Sequence, residues 1–523
     1  MTGSGKASAG ASVKVLLAGI YDTNTLSLAP QVLKAYAEQF DYALPVAVDT
    51  REYSLFRHSA RDIAAELNDQ GADVIGLSVY IWNYSLILEL VPLLQGRVML
   101  GGPQVTSIER QLLERMPNVE LIVTGEGELV FVELLRAFCG EIPLHTVPGI
   151  TTPLFQNPPP AALDLSTLPL MYGDMLDRHP GLSWISFQAS RGCPFGCRYC
   201  CWGGSRKLRL SPLASVLAEL EAILRHESIT SIYFCDSDIL LDQERALAIL
   251  EFIIARRPGL DVRFEFNAEH LSDPILECIE RLPAMEINFG LQTVNPAALE
   301  NIGRKFRRGI FEANFAKAAD RFGERITMDL IYGLPGDDYA GFKASMDYAL
   351  SLGTVRRILT NPLLVLPGSE FHKNAESYGF KLRGPDSFVV DSCATFSGED
   401  MESARKLSFW VAVFFFNTAL RDALLAVAQR QDRKVSDVLL AFVDTLPEDF
   451  VPARHPDMVP GAREDFARRN AALGAIIGRY PELVELFRAR LGDGELLDCY
   501  EDKFTEQFRK VQGFISRDEN GSA

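Results

Sequence analysis

The sequence predicts an α/β protein with three parts: an N-terminal doubly wound, Rossmann-like sheet, a partial (β/α)6 barrel and a C-terminal α-helical region. Short β-branched runs alternate with amphipathic stretches up to about residue 366, at intervals long enough for the right-handed crossovers of parallel sheets. From about residue 384 only helical spacing remains. A chain of 523 residues is also too long for a single core. We predict these boundaries: a disordered tail at 1–12, the first domain at 13–147, a linker at 148–182, the barrel at 183–383 and the helical domain at 384–523.

The first domain contains five predicted strands: Val13–Gly19, Tyr42–Val48, Asp73–Val79, Arg97–Leu100 and Glu120–Val123. Five stretches with helical spacing accompany them: Leu28–Phe40, Ala60–Asp69, Tyr84–Leu94, Ile108–Met116 and Glu128–Phe138. In an open parallel sheet of this kind, ligands bind at the carboxyl ends of the strands. The loops expected there are Tyr21–Asn24, Ser78–Asn83, Gly101–Gln104 and Gly125–Glu128. Glycines in the last two would let the backbone approach a large flat ligand.

A proline-rich linker separates this domain from six more predicted strands, which is too few for a closed eightfold barrel. These strands are Trp184–Ala189, Ser231–Asp236, Val262–Asn267, Glu286–Gln292, Ile326–Ile331 and Ile358–Val365. The C-terminal helices are predicted at Met401–Gln431, Lys434–Asp444, Ala462–Arg479, Pro481–Leu491 and Asp502–Phe514.

Composition excludes several classes of protein. The chain is 47% apolar and 23% charged, as in globular proteins, and its net charge of −17 argues against a nucleic-acid partner. The first twelve residues lack the apolar core of a secretory signal, and the apolar run Phe409–Leu420 is too short to span a bilayer. Nine cysteines, an odd number, fit metal or thiol chemistry in a reducing compartment. We therefore expect a cytoplasmic protein that does not enter a membrane.

The most informative motif is a set of three cysteines, Cys193, Cys197 and Cys200, directly after the first barrel strand. Three thiolates within eight residues can hold three corners of a cubane iron–sulfur cluster and leave the fourth iron open. The alternative is structural zinc, which usually takes four closing ligands. Cys201 is adjacent to Cys200 and would point elsewhere, and no second cysteine pair follows, so the cluster is favoured.

This segment resembles the cluster-binding loop of the radical S-adenosylmethionine (SAM) superfamily, which combines the same cysteine spacing with a partial barrel. Further elements resemble the family's motifs in the same order: Cys235–Asp238, Phe264–Asn267, Phe289–Gln292 with Ile302–Lys305, Met328–Gly336 and Leu366–Ser369. The resemblance implies a [4Fe-4S] cluster on the three cysteines and SAM bound by Tyr199, Asp236, Glu265, Gln292, Arg304, Asp329, Gly333 and Leu334. Ordinary roles stay open for some of these residues: Asp236 as a helix cap, Glu265 as a solvated strand end and Arg304 as a surface charge.

The first domain, joined to such a barrel, resembles the cobalamin-binding subclass of the superfamily. The implied cobalamin contacts are Tyr21, Asp22, Thr23, Ser78, Val79, Tyr80, Trp82, Asn83, Gly101, Gly102, Pro103, Gln104, Gly125, Glu126 and Gly127. The segment Tyr21–Leu26 contains no histidine, so cobalt would have no imidazole ligand from the protein. A sheet that has kept the fold and lost the ligand is the alternative. A dinucleotide is disfavoured because the first turn lacks Gly-x-Gly-x-x-Gly.

The resemblance implies a methyltransferase that uses methylcobalamin and a 5′-deoxyadenosyl radical to methylate an unactivated carbon of a small natural product. Three alternatives stay open: a rearrangement or ring contraction, methylation of an aromatic carbon without hydrogen abstraction, and a cobalamin carrier or sensor. Expected partners are a small-molecule substrate and an external electron donor of the flavodoxin or ferredoxin type, with the chain as a monomer. No catalytic side chain can be named from the sequence.

Overall fold

The computed structural model describes residues 12–21, 25–202, 204–282, 285–353, 355–457, 463–491, 497, 500 and 502–504. The predicted tail, apart from Ser12, lies outside this set, and so do Asp22 and Thr23 and the predicted helix beyond Phe504.

The first domain is a six-stranded sheet in the order β2-β1-β3-β4-β5-β6, parallel except for the edge strand β6. This confirms the predicted doubly wound fold. Its strands are β1 (Val13–Tyr21), β2 (Val46–Ser54), β3 (Val74–Ser78), β4 (Arg97–Gly101), β5 (Val119–Val123) and β6 (Ile150–Thr151). Its helices are α1 (Leu28–Ala37), α2 (Ala60–Asp69), α3 (Tyr84–Leu90), α4 (Glu109–Arg115) and α5 (Gly127–Phe138).

The second strand was misplaced by the sequence prediction, which put it at Tyr42–Val48. It starts at Val46, where it pairs with Val13, and runs to Ser54 through polar residues. β2 is an edge strand with much of its length accessible to water, so it lacks the apolar pattern of a buried strand. The linker segment 148–182 also contains structure: β6 and a helix, α6 (Tyr172–Arg178).

The barrel consists of two three-stranded parallel sheets, ordered β11-β10-β7 and β12-β13-β14, as the sequence predicts for an open barrel. One face of each strand is buried under helices, and the other face, directed to the interior, stays partly accessible: Ile232 and Phe234 are fully buried, while Tyr233 between them is not. The strands are β7 (Trp184–Phe187), β8 (Ser190–Arg191), β9 (Arg209–Leu210), β10 (Ser231–Phe234), β11 (Asp261–Phe264), β12 (Ile287–Gln292), β13 (Ile326–Tyr332) and β14 (Arg357–Pro362). The helices are α7 (Leu213–Leu224), α8 (Gln243–Arg256), α9 (Asp273–Glu280), α10 (Pro296–Asn301), α11 (Arg308–Phe322) and α12 (Tyr339–Ser351).

After the barrel come two short helices, a two-stranded ribbon and the predicted helical region. These are α13 (Glu370–Lys373), α14 (Ala375–Tyr378), β15 (Lys381–Leu382), β16 (Val390–Ser392), α15 (Gly398–Phe416), α16 (Thr418–Arg430), α17 (Val435–Val443), α18 (Arg463–Ile477) and α19 (Tyr480–Leu491). The single predicted helix Met401–Gln431 is wrong, because α15 and α16 meet at an angle of 115°. Asn417 causes the break: its extended backbone ends α15, and its Oδ1 accepts the Leu420 amide at 3.1 Å to cap α16.

No single helix in the described part of the chain has the length and apolar character needed to cross a membrane. The bent pair α15–α16 passes that test only when its two helices are taken together. Trp410, Phe409 and Phe414 of α15 are fully buried in the protein core.

Candidate active site

Residues 192–208 connect β8 to β9 and are called the cysteine loop below. β8 and β9 pair antiparallel, so both ends of the loop are held together. The Cys193 amide donates to the Ser205 carbonyl at 2.8 Å. Gly192 has φ +95°, and a Cβ there would lie 2.1 Å from the Lys207 carbonyl oxygen, so only glycine fits. The ribbon therefore fixes the first cysteine just beyond β7.

The three predicted cluster ligands lie close to one another. Burial raises the pKa of Cys200 to about 12, and the nearby thiols of Cys201, Cys197 and Cys193 act in the same direction. Within the described residues, no three cysteine, histidine or acidic side chains already form a metal-binding arrangement. Three thiols on one short loop are nevertheless the donor set of a cubane cluster with one open iron. The positive charge of the iron ions would favour the thiolate form of the cysteines. The residues present fit a [4Fe-4S] cluster.

The far side of the cysteine loop is fixed by Arg198. Its amide donates to the Ile302 carbonyl at 2.9 Å, and its carbonyl accepts the Phe371 amide at 3.0 Å. A Cβ on Gly303 would lie 2.9 Å from the Gly196 carbonyl oxygen, so the two backbones are in close contact. Tyr199, a predicted SAM contact, packs against the same apolar cluster as Ile302. The loop is thus braced against the segment after α10.

Asp236, the predicted SAM contact after β10, is almost fully buried at 1% exposure. Its carboxylate accepts the Ala189 amide at 3.0 Å and the Ser190 hydroxyl. Burial raises the pKa of Asp236, and these hydrogen bonds oppose the shift. Within the described residues, then, Asp236 joins the end of β10 to the start of the cysteine loop.

Two predicted SAM contacts, Glu265 and Asp329, lie near each other on the interior face of the barrel. Burial raises the pKa of Asp329 to about 6, although Asn288 donates to its Oδ2 at 2.7 Å. Its Oδ1 is buried without a hydrogen-bond partner. Burial and the charge of Asp329 raise the pKa of Glu265, whose Oε1 accepts the Tyr233 hydroxyl at 3.3 Å. The pair offers acceptor oxygens to a ligand's hydroxyl or amino groups.

The other predicted SAM residues lie on neighbouring strand ends. Gln292 has φ +68° at a bulge in β12, and the guanidinium of Arg304 donates to the Gly290 carbonyl. Gly333 has φ +84°, and a Cβ there would lie 2.9 Å from the Met401 sulfur. Leu334 is fully buried, so only its backbone can face a ligand.

The loop after β4 has the form of a backbone cradle. Gly102 has φ +115°, and a Cβ there would lie 2.4 Å from the Val79 carbonyl oxygen. The Gln104 amide donates to the same oxygen at 3.3 Å. The side-chain Nε2 of Gln104 is buried and has no partner. A bare backbone beside an unsatisfied donor fits the amide-rich edge of a corrin ring.

Aromatic rings connect the predicted cobalamin loops to the barrel. Tyr80 and Trp82 stack at 4.5 Å with an interplanar angle of 6°. Tyr21 lies 5.3 Å from the Trp82 ring and 5.6 Å from Trp184 of β7. Burial raises the pKa of Tyr80 to about 12, and the nearby thiol of Cys235 adds to the rise. The cobalamin loops therefore face the barrel interior.

Asn83 supports the loop after β3 from behind. It is fully buried, and its Nδ2 donates to the carbonyls of Ile20 at 3.1 Å and Ser78 at 3.0 Å. Its Oδ1 accepts the Tyr80 amide at 2.8 Å. Every polar atom of the Asn83 side chain is thus used to hold the loops after β1 and β3 together.

The loop after β5 forms an ion-pair clasp with the ends of the cysteine loop. Arg191 donates to Glu128 at 2.6 Å and lies 3.7 Å from Glu126. Arg209, its register partner on β9, donates to both oxygens of Glu126. Burial acts to raise the pKa of Glu126, but Arg209 and the Leu163 amide outweigh it and hold the pKa below its usual value.

Arg191 and Arg209 were not among the residues singled out from the sequence. The only feature of the sequence that pointed to them is their position, one on each side of the three cysteines. Gly101 is the last residue of β4 and Gly127 the first residue of α5, while Pro103 and Gly125 follow β4 and β5. Gly127 packs against Leu33 of α1.

Comparison with known proteins agrees with this geometry. Residues 187–349 match the model of the radical SAM superfamily, and residues 21–135 match that of the B12 binding domain. The cobalamin-dependent radical SAM methyltransferase TokK of Streptomyces tokunonensis is 26% identical over 496 residues, covering 86% of this chain and 71% of TokK. The 2-(S-pantetheinyl)-carbapenam-3-carboxylate methyltransferase of Streptantibioticus cattleyicolor is 26% identical over 495 residues, with the same coverage of 86% and 71%.

Two solved structures share the fold. The cobalamin-dependent SAM radical enzyme OxsB superposes with a TM-score of 0.60 at 15% identity, covering 96% of this chain and 83% of OxsB. The radical SAM methyltransferase TsrM of Kitasatospora setae, solved with cobalamin and a [4Fe-4S] cluster, gives 0.56 at 18% identity over 72% of this chain and 76% of TsrM. The family matches favour the cluster over zinc on the three cysteines. The chain therefore belongs to the cobalamin-dependent radical SAM enzymes, whose cofactors are a [4Fe-4S] cluster, SAM and cobalamin.

Proposed function

We propose that the chain is a C-methyltransferase that moves a methyl group from cobalamin to an unactivated carbon of a small natural product. When bound, the cofactors supply a methyl donor and, from reductively cleaved SAM, a 5′-deoxyadenosyl radical that removes a substrate hydrogen atom. The residues of this chain bind and orient these groups and exclude water from them.

The observation that carries the proposal is the contact between the two cofactor regions. Tyr21, at the end of β1, has its ring 5.6 Å from that of Trp184 in the barrel, and Tyr80 lies near enough to the Cys235 thiol for that thiol to add to the rise of its pKa. A methyl donor and a radical source must reach the same substrate carbon in turn. The contact of the loops after β1 and β3 with the barrel supports the proposal, because cofactors held there would lie close together.

Specific residues have defined tasks in this proposal. Cys193, Cys197 and Cys200 hold the cluster. With its pKa of about 6, Asp329 is mainly ionised at pH 7 and accepts hydrogen bonds from SAM hydroxyl or amino groups. Arg304 pairs with the SAM carboxylate. These three tasks require only groups that already lie at the barrel strand ends.

The relatives support methyl transfer but not one substrate. Besides TokK and the 2-(S-pantetheinyl)-carbapenam-3-carboxylate methyltransferase, a hopanoid C-3 methylase of Methylococcus capsulatus is 24% identical over 374 residues. An anaerobic magnesium-protoporphyrin IX monomethyl ester cyclase of Cereibacter sphaeroides is 24% identical over 230 residues. We leave the substrate open and propose only that it is a small molecule with an unactivated carbon.

The test is anaerobic reconstitution with iron, sulfide and cobalamin, followed by absorption spectra and product analysis with SAM and a chemical reductant. We expect cluster and corrin bands together, 5′-deoxyadenosine formation, and S-adenosylhomocysteine as cobalamin is remethylated. Cys197→Ala should abolish 5′-deoxyadenosine, whereas Cys139→Ala, a half-buried cysteine of the first domain, should not. A product without added methyl mass would favour the rearrangement alternative. If the intact protein forms no 5′-deoxyadenosine, the proposed radical step is refuted; S-adenosylhomocysteine formed without it would favour methylation without hydrogen abstraction.

A further inference from the structure

Three successive residues after β10 support the cysteine loop or the strand that leads into it. The carboxylate of Asp236 accepts the Ser190 hydroxyl, which belongs to β8. The Ser237 hydroxyl donates to the carbonyl of Gly192, the first residue of the loop, at 2.8 Å. The third residue, Asp238, reaches the loop through a histidine.

Asp238 fixes the imidazole ring of His270. The Asp238 side chain is 1% exposed, and its Oδ1 accepts the Leu240 amide at 2.9 Å. Its Oδ2 accepts the Asn267 amide at 3.0 Å and lies 2.8 Å from Nδ1 of His270. An ionised carboxylate only accepts hydrogen bonds, so the proton between these two side chains is on Nδ1. This hydrogen bond sets the orientation of the ring.

The ring of His270 packs on that of Phe195, which lies between the first two cysteines. The two rings are stacked, with centroids 5.8 Å apart and an interplanar angle of 28°. The His270 backbone is fixed as well: its amide donates to the Asn267 carbonyl at 2.8 Å, and its carbonyl accepts Nε2 of Gln243 at 3.0 Å. The stack therefore joins the middle of the cysteine loop to a residue whose ring and backbone are both held.

Phe195 occupies the part of the cysteine loop that most needs such a contact. Backbone hydrogen bonds anchor the loop at Cys193 and at Arg198. The stretch between these anchors contains Pro194, which has no amide hydrogen, and Gly196, whose backbone is the least restricted of any residue type. A half-buried aromatic ring in this stretch limits its freedom when the ring is itself held from outside the loop.

We infer that His270, held by Asp238, is a positioning residue that fixes Phe195 and so keeps the first two cysteines in place before a cluster is bound. The inference rests on the cluster role of the three cysteines in the proposed function. His270 acts on these cysteines through Phe195 and holds no iron itself. Groups that orient metal ligands in this indirect way commonly change metal affinity by about tenfold or more.

Hydrogen exchange of the full-length, cluster-free protein tests the inference, measured by mass spectrometry on peptides that contain the Cys193 and Arg198 amides. In His270→Asn, the new amide nitrogen takes the place of Nδ1 and keeps a donor for Asp238, but the ring is lost. We expect these amides to exchange roughly three to ten times faster, the factor expected for the loss of one aromatic contact. The matched control is His226→Asn, which replaces another half-buried histidine, 3.7 Å from a carboxylate of α6. It should leave exchange in the cysteine loop unchanged.

Two further variants separate positioning of the loop from a general loss of stability. His270→Phe restores a flat ring without the hydrogen bond, so it should recover most of the protection that His270→Asn loses. Phe195→Leu should speed up exchange by itself, and adding His270→Asn to it should have little further effect, because the histidine acts through that ring. Additive effects of the two substitutions would contradict the inference. Faster exchange of His270→Asn throughout the barrel would contradict it too.

The reconstituted protein supplies a second measurement, the rate at which an iron(II) chelator removes iron from the cluster. We expect His270→Asn to lose iron faster by the same factor, since the loop must open before iron can leave. Equal rates for His270→Asn and His226→Asn would overturn the role in cluster binding. If the intact protein takes up no cluster, the proposed function fails, and exchange in the cluster-free protein still decides whether His270 positions the loop.

Discussion

The loops after β4 and β5 lie side by side at the same edge of the first sheet, and each contains two glycines. In the first, the Gly102 backbone packs against Val79, and the side-chain Nε2 of Gln104 is buried without a hydrogen-bond partner. In the second, the side chains of Glu126 and Glu128 are paired with arginines of the barrel. Similar sequence therefore gives one loop an unsatisfied donor, which we propose to serve cobalamin, and makes the other a joint between domains.

The largest effect should follow from Gly102→Ala in the loop after β4. The new Cβ would lie 2.4 Å from the Val79 carbonyl oxygen at a φ of +115°. Steric overlap and backbone strain together should cost up to about 5 kcal/mol, and the reconstituted protein should lose its corrin absorption. Urea unfolding and absorption spectra measure the two effects. Gly140→Ala is the control, since it has φ +77° but nothing within 4 Å, and it should keep cobalamin. Normal cobalamin binding by Gly102→Ala would remove this loop from the site.

Breaking the clasp should have the next largest effect. Arg191→Gln leaves Glu128 with 6% side-chain exposure and without its ion-pair partner. Removing one partner of a buried pair costs about 4 kcal/mol. The double variant Arg191→Gln/Glu128→Gln should recover much of this loss, because neither side is then left charged. A double-mutant cycle by urea unfolding measures the coupling. Additive effects would show that the two side chains act independently.

A third carboxylate of the first domain, Glu52, has no arginine partner within the part of the chain that the structure describes. Its Oε2 accepts the Ser27 amide at 3.0 Å, and burial raises its pKa from 4.5 to about 7. The raised pKa means that folding favours the protonated acid. The contribution of Glu52 to the free energy of unfolding is therefore fully present below pH 4.5 and is lost as the pH rises through 7. The total loss should be about 3 kcal/mol. Glu52→Gln should flatten this part of the stability profile. An unchanged slope between pH 4.5 and 7 in urea unfolding of the variant would contradict the assignment.

The sequence was sufficient for the fold class and the cofactors, because strand alternation and cysteine spacing are local patterns; the cluster role of the three cysteines stays a prediction. Alternation of apolar runs identifies buried parallel strands, but it fails for β2, where Asp49 to Arg51 are polar or charged and accessible to water at a sheet edge. The break at Asn417 was missed because apolar residues continue through it, and only the cap reveals it. The clasp could not be found, since Arg191 and Glu128 are 63 positions apart and only the packing of two domains brings them together.

The smallest effect tests whether Gln104 is a ligand group or a core residue. Its Nε2 is buried without a partner, an arrangement that costs about 1 kcal/mol or more in the free protein. Gln104→Leu removes that donor while keeping similar volume, so the cobalamin-free protein should become more stable by about 1 kcal/mol. Cobalamin affinity should fall in the same variant, because an acceptor on the ligand would lose its hydrogen-bond donor. Asn83→Leu is the contrast: all its side-chain polar atoms are bonded within the protein, so it should lose stability before any ligand is added. If Gln104→Leu destabilised the cobalamin-free protein as Asn83→Leu does, Gln104 would belong to the loop's own support and not to the ligand surface.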